Sequence, residues 1–234
     1  MSALLWKDIR MNASVLVLTG ALFALPYLAG FGWLVNESMA RGTGPMDVRW
    51  SYDAVMRTGF LSLILSHIGM TILVGNALAC ERETGSEGFL AALPPTRARV
   101  LLSKTAVTAG TIILLWALSV FVLLVLAPTL PDAPAFIVPG VHDDPAVELS
   151  WVASVAALIF GVAWWLSSFV QKSSTAWVLA LLSPLALVGL ALLTRSVFSI
   201  GDLALDRMFL WSCVLLGLAG GSAGTVLFLR KSEF

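Results

Sequence analysis

Residue types able to do chemistry are scarce in this chain, and a quarter of its charged residues fall in one stretch. Residues 79–104 read ACERETGSEGFLAALPPTRARVLLSK and hold seven of the 28 Asp, Glu, Lys and Arg residues. The sequence contains no HExxH or CxxC motif and two histidines in all, so no His-based metal site is predicted. It also lacks the GxxxxGK[ST] phosphate loop, so ATP hydrolysis by that route would need another chain.

Two polar side chains lie well inside an apolar run. His67 is an ionisable residue deep in a hydrophobic segment, and Asn76 is the other strongly polar group of that segment. Intramembrane ionisable residues are candidates for a transport path, so His67 is a predicted translocation-path candidate. Asn76, a neutral polar residue, is the second candidate. The alternative for His67 is a neutral side chain that bonds a helix carbonyl, Ser62, Ser66 or a neighbouring span.

The composition is that of an integral membrane protein. Hydrophobic residues make up 59% and charged residues 12% of the 234 residues, whereas soluble proteins have about 25% charged residues. The run TIILLWALSVFVLLVLA is apolar on all sides, which contradicts the alternating pattern of a membrane β-barrel. We therefore expect an all-α fold of six transmembrane helices. The predicted spans are about 15–36, 58–80, 101–127, 148–170, 174–194 and 208–229.

The basic residues predict the orientation of these spans. With the N-terminus in the cytoplasm, nine Lys and Arg residues lie on the inner side and five on the outer side, which favours cytoplasmic termini under the positive-inside rule. In the last span, two pairs of glycines spaced four residues apart predict close helix packing. These pairs are Gly217 with Gly221 and Gly220 with Gly224.

The segment SALLWKDIRMNAS at 2–14 has the pattern of a short amphipathic helix. Leu5, Trp6, Ile9 and Ala13 share one arc of a helix, and Lys7 and Arg10 lie on another side. This pattern predicts a helix lying in the inner membrane interface. The alternative is a frayed N-terminus that leads directly into the first span.

The charged stretch between the second and third spans predicts a docking helix. Thr84 and Glu87 form a capping box, Phe89, Leu90 and Leu93 form an apolar patch, and Pro94 stops the helix. A capped helix with an exposed apolar face is typical of an element that docks into a groove of another protein. The alternative is a helix that only rests on lipid.

The run ERETGSEGFLAALPPTR at 81–97, followed by Lys104, resembles the segment after the second span in permease subunits of type-2 ATP-binding-cassette (ABC) transporters. In that family the segment reads E-R-E-x-G-[ST], a short helix, L-P, then a basic residue near a following Lys. The resemblance implies that 81–104 is the coupling segment that meets a separate ATPase. The implied coupling residues are Glu81, Glu83, Thr84, Gly85, Ser86, Glu87, Phe89, Leu90, Leu93, Pro94 and Arg97.

We expect the whole chain, 1–234, to form one transmembrane permease domain. Its expected location is the plasma membrane, which in a bacterium is the inner membrane. The resemblance implies an exporter of an amphipathic or lipid-like substrate that is not itself an enzyme. Its implied partners are an ATPase subunit that holds ATP and magnesium, a second permease copy or a paralogue, and membrane lipid, but no nucleic acid. The alternatives are an ion-coupled secondary carrier that works alone and a structural membrane subunit of a larger complex.

Overall fold

The computed structural model describes residues 2–41, 51–83, 97–130, 145–198 and 202–230, and these residues are helical apart from short turns. Six of the helices are long and apolar enough to cross a membrane. The described part of the chain is therefore helical, and its six apolar helices are those of a multi-pass membrane protein, as the composition predicts. The helices are α1 (Ser2–Met11), α2 (Ala13–Ala40), α3 (Tyr52–Glu83), α4 (Arg97–Val120), α5 (Pro145–Ser167), α6 (Ser173–Phe198) and α7 (Asp202–Arg230).

Four of the six predicted spans lie within one long α-helix each. The third, 101–127, extends beyond α4, which ends at Val120, and the fourth differs at its end. The fourth span was predicted to reach residue 170, but α5 ends at Ser167. The hydroxyl groups of Ser167 and Ser168 donate to the carbonyls of Trp164 and Trp165, three residues earlier. Such local bonds offer the backbone an alternative to helical hydrogen bonding. This explains why α5 ends at Ser167 although the apolar run continues to residue 170.

The end of α4 changes its winding. Phe121–Leu126 forms a π-helical segment and Ala127–Thr129 a 3-10 turn, after which Leu130 is extended. Pro128 has no backbone N–H and cannot continue the regular bonding ladder. The third span therefore keeps its predicted length, while its last two turns depart from α-helical geometry.

The chain divides into two compact units. The first unit comprises the described residues within 1–13, 70–110 and 150–234. In it, α5 and α7 pack in parallel, because Ala157 contacts Gly217 and Trp164 contacts Gly224. A Cβ atom on Gly161 would lie 1.9 Å from the carbonyl oxygen of Gly217. The absence of a side chain at Gly161 and Gly217 therefore allows the two backbones to touch.

The glycine face of α7 differs from the prediction. Gly220 and Gly224 both contact α5, as one of the two predicted pairs requires, but Gly221 faces open space. In a helix, Gly221 is rotated by about 100° from Gly220, and this rotation turns it away from α5.

Residues 220–224 also match the GxSxG motif, but a nucleophile elbow needs a strand-to-helix turn. Ser222 instead lies on an exposed face inside the continuous helix α7.

The second unit comprises the described residues within 14–69 and 111–149. Here α2 and α3 pack antiparallel, since Thr19 contacts Gly69 while the hydroxyl of Ser62 donates to the carbonyl of Phe23. Gly59 of α3 also leaves room for the side chain of Leu123, which follows α4. Small residues on α3 thus let its neighbours approach closely on this part of the helix.

Burial differs strongly among the six long helices. In its most apolar window, 67% of α3 is buried, compared with 11% for both α2 and α6. Large apolar side chains such as Val17, Leu28 and Leu185 are exposed on these outer helices. A soluble protein rarely exposes so much apolar surface, so these faces are suited to contact with lipid.

Candidate functional site

The described residues flank the predicted coupling segment. Glu81 and Glu83 lie in the last turn of α3, and Arg97 is the first residue of α4. The other predicted coupling residues lie outside the described part of the chain. These are Thr84, Gly85, Ser86, Glu87, Phe89, Leu90, Leu93 and Pro94. The nearest described residues on the α4 side of this segment are those of the first turns of α4.

One face of α4 is buried over its first three turns and is partly polar. Val100, Ser103, Lys104, Val107 and Thr108 are all buried. Their spacing of three and four residues places them on one side of the helix. The neighbouring residues on the other side, including Arg99 and Leu102, are exposed. This buried face therefore includes Lys104. A lysine that only anchors a span would instead extend its ammonium group to water.

Lys104 meets a buried carboxylate from α1. Its Nζ lies 3.8 Å from Oδ1 of Asp8, and the hydroxyl of Ser103 donates to Oδ2 of the same carboxylate over 2.6 Å. Asp8 and Lys104 are each 5% exposed, and Ser103 is 1% exposed. Two consecutive residues of α4 thus hold the two oxygens of one aspartate. We call Asp8, Ser103 and Lys104 the α1–α4 cluster.

The way α1 continues into α2 supports the position of Asp8. At Asn12 the chain leaves the helix, and both the backbone N–H and the side-chain amide of Asn12 donate to the carbonyl of Asp8. The backbone bond continues the helical i to i−4 pattern by one residue, and the side-chain amide adds a second donor to the same carbonyl. Asp8 is therefore fixed through its backbone as well as through its carboxylate.

The α1–α4 cluster is suited to holding two helices together rather than to acting on a substrate. Its three side chains are almost fully shielded, so no substrate can reach the Ser103 hydroxyl in this arrangement. Among the described residues, no group of three or more His, Cys, Asp or Glu side chains is placed to hold a metal ion. A buried ion pair constrains its helices strongly, because removing one partner leaves an uncompensated charge and costs about 3–5 kcal/mol.

This cluster was not predicted from the sequence. Lys104 was considered only as the lysine that follows the run at 81–97, and Asp8 had no predicted role, since 95 positions separate Asp8 from Ser103. Two signals were present in the sequence. Asp8 is the only acidic residue before Glu37, and Lys104 shares a helical face with Ser103 and Thr108.

Helix α1 has the predicted exposed apolar residues and also a buried polar face. Trp6 is 67% exposed and Leu5 is 37% exposed, while Asp8 is buried against α4. The amphipathic pattern identified the helix but not the face that contacts protein. Its predicted location in the membrane interface stays a prediction.

His67 lies in a different kind of environment. It is 7% exposed, and its Nδ1 lies 2.5 Å from the carbonyl oxygen of Leu63, one turn earlier in α3. Its ring packs edge-on against Trp116 of α4, with ring centroids 5.6 Å apart. Since a carbonyl can only accept, Nδ1 is the donor in this contact. The contact matches the helix-carbonyl alternative given above for this residue.

The second translocation-path candidate does not join His67. Asn76 is half-buried in α3, nine residues after His67. Nine residues of an α-helix correspond to about 14 Å of rise and a half-turn offset. The two side chains therefore lie on opposite faces of α3 and form no common site.

The first unit also contains an apolar groove of about 510 Å³ among α5, α6 and α7. Its walls are formed by leucine, alanine, glycine and valine, with Trp165 and Ser183 among the lining residues. A groove of this composition accommodates hydrocarbon and offers few hydrogen-bonding groups.

Comparisons with protein-family models, with curated proteins and with solved structures find no significant match to this chain.

Proposed function

We propose that this chain is the membrane-spanning permease subunit of an ATP-driven transporter, energised by a separate ATPase that binds the segment between α3 and α4. The observation that carries the proposal is the run ERETGSEGFLAALPPTR at 81–97, which resembles the coupling segment of type-2 ABC permeases. A capping box, an apolar patch and a double proline within this run are features of a docking helix.

The fold supports this proposal in two respects. Six apolar helices provide a membrane-spanning body. The segment 84–96 connects the end of α3, the most buried of these helices, with the start of α4. A partner that binds this segment would thus act directly on a helix with many protein neighbours. The partner would also act on the first turns of α4, which are bonded to α1.

The proposed substrate class is amphipathic or lipid-like, and the proposed direction is export from the cytoplasm. The groove among α5, α6 and α7 supports an apolar cargo because its lining is almost entirely hydrocarbon. The proposed assembly contains two permease chains and two ATPase subunits in the plasma membrane, with both termini cytoplasmic. ATP and magnesium bind the ATPase subunits in this assembly.

The test replaces one apolar residue of the proposed docking helix by aspartate. Phe89→Asp and Leu90→Asp should each weaken ATPase binding at least about thirtyfold, because interface hot spots contribute about 2 kcal/mol or more. The chain is co-expressed with a candidate phosphate-loop ATPase from the same genome. Retention of the ATPase is then measured by pull-down at matched permease expression, together with ATP hydrolysis.

The matched control is Lys172→Asp, which places an aspartate on the exposed turn between α5 and α6. This turn lies on the same predicted side of the membrane as the docking helix, so the control should retain the ATPase. Normal ATPase retention by both docking-helix variants would contradict the proposal and favour a helix that rests on lipid. Transport by the purified chain without any ATPase would instead favour an ion-coupled carrier.

A further inference from the structure

The α1–α4 cluster contains two buried charges that the proposed function does not explain. One oxygen of Asp8 accepts a hydrogen bond from Ser103 over 2.6 Å, and the other lies 3.8 Å from Nζ of Lys104. Both charged side chains are 5% exposed. The carboxylate is therefore held by two successive residues of α4 that approach it on different oxygens.

Stability alone is a poor reason for this arrangement. Burying two charges removes their hydration, so a buried pair often contributes no more to stability than apolar residues of similar size. Helix α1 also has large apolar side chains available, but Trp6 and Leu5 are exposed while Asp8 is buried. What the ion pair adds is direction, because a carboxylate, a hydroxyl and an ammonium group fit together in few orientations.

The cluster constrains the rotation of α4 near its start. Ser103 and Lys104 lie in the second turn after Arg97, the first residue of the helix. A slip of one residue would rotate this face by about 100° and would remove both partners from the Asp8 carboxylate. The first turns of α4 therefore have one favoured orientation relative to α1.

We infer that Asp8 is a positioning residue that joins α1 to the first turns of α4, so that the two helices move as one body during transport. The coupling role rests on the proposed function, because the segment that α4 follows is the proposed ATPase-docking segment. Movement imposed on the start of α4 then reaches α1 through the Asp8 carboxylate.

The first experiment measures hydrogen exchange in the purified full-length chain and needs no ATPase. Asp8→Asn keeps the shape of the side chain but removes its charge, so it weakens the contacts to Ser103 and Lys104. Amides of residues 101–104, the first in α4 with an intrahelical partner, should exchange at least about tenfold faster, because the first turns of α4 open more often. The control Asp53→Asn makes the same change at an exposed position of α3 and should leave these amides unchanged. Unchanged protection in Asp8→Asn would overturn the inference.

The second experiment replaces the ion pair by a covalent tether. Asp8→Cys, Ser103→Cys and Lys104→Met are combined in a chain whose own cysteines are removed by Cys80→Ala and Cys213→Ala. The two new thiols are joined by oxidation or by a methylene-bridged bismethanethiosulfonate. ATP hydrolysis by the complex with the partner ATPase is then compared before and after cross-linking, relative to the cysteine-free parent.

If Asp8 acts by positioning α4, the covalent tether should restore the ATP hydrolysis that is lost with the charges. The uncross-linked variant should hydrolyse ATP at least about tenfold more slowly than the parent, and the cross-linked variant should recover to within about threefold of it. A cross-linked complex that stays as slow as the uncross-linked one would show that the charges themselves are required. Full activity without the cross-link, or failure of both reagents to form it, would also overturn the inference.

The two experiments separate this inference from the proposed function. If the parent chain binds no ATPase, the proposed function fails, while faster exchange in Asp8→Asn still establishes that Asp8 positions α4. If the parent binds the ATPase and the exchange is unchanged, the proposed function stands and the positioning role fails.

Discussion

The α1–α4 cluster of the first unit and the His67 site of the second unit are both buried and polar, yet they are built differently. In the cluster, the carboxylate of Asp8 bonds to side chains of a helix 95 positions away. At His67, the contact from Nδ1 is to the carbonyl of Leu63 in the same helix. The neighbouring helix offers His67 the apolar edge contact of Trp116.

This difference indicates which polar groups constrain a membrane fold. A hydrogen bond from a side chain to its own helix can form wherever that helix lies, so this bond places little demand on the neighbouring helices. A charge that is balanced from another helix requires that helix to stay in one position and one rotation. Depth within an apolar run, the criterion that singled out His67, does not distinguish these two cases.

Lys104→Ala should give the largest effect and is the strongest challenge to the comparison. It leaves the Asp8 carboxylate buried without its cation, so the free energy of unfolding should fall by about 3–5 kcal/mol. The measurement is a titration of the purified chain with a denaturing detergent. Lys172→Ala, at an exposed lysine, should change the free energy of unfolding by less than about 0.5 kcal/mol. Equal effects of the two variants would show that Lys104 is solvated rather than paired.

Ser103→Ala should have an intermediate effect. It removes a hydrogen bond to a charged acceptor, which contributes about 1.5–3 kcal/mol, but it leaves the ion pair in place. The matched control is Ser154→Ala in α5, because the hydroxyl of Ser154 donates to the carbonyl of Ser150 in its own helix. In the same titration, the control should lose less than about 0.5 kcal/mol. A loss as large as that of Ser103→Ala would remove the distinction between bonds across helices and bonds within one helix.

The sequence predicted the long helices well because their signal is local. The apolar run at 111–127 falls entirely within α4 and its continuation, and α2 and α7 contain the first and last predicted spans. The α1–α4 cluster was missed because it depends on a tertiary contact, and neither Asp8 nor Lys104 carries a local pattern that names its partner. Gly221 illustrates the same limit, since glycine spacing indicated a packed face but not its rotation.

His67→Gln should have the smallest effect of the three. The substitution removes the edge contact with Trp116, and aromatic contacts of this kind contribute about 0.5–1.5 kcal/mol. Because the contact with Leu63 lies within α3, its loss should not displace a neighbouring helix. The free energy of unfolding should therefore fall by about 1 kcal/mol. If the proposed function holds, transport in proteoliposomes that contain the proposed ATPase should be retained at least in part.

The matched comparison for His67→Gln is Trp116→Leu, which removes the other partner of the same ring contact. If that contact is the main loss, the double variant should be about as stable as the less stable single variant, because the same interaction is removed once. A loss of stability at His67 as large as that of Lys104→Ala would show that the imidazole also holds neighbouring helices in place. Complete loss of transport in a stable His67→Gln chain would instead place the imidazole in the translocation path.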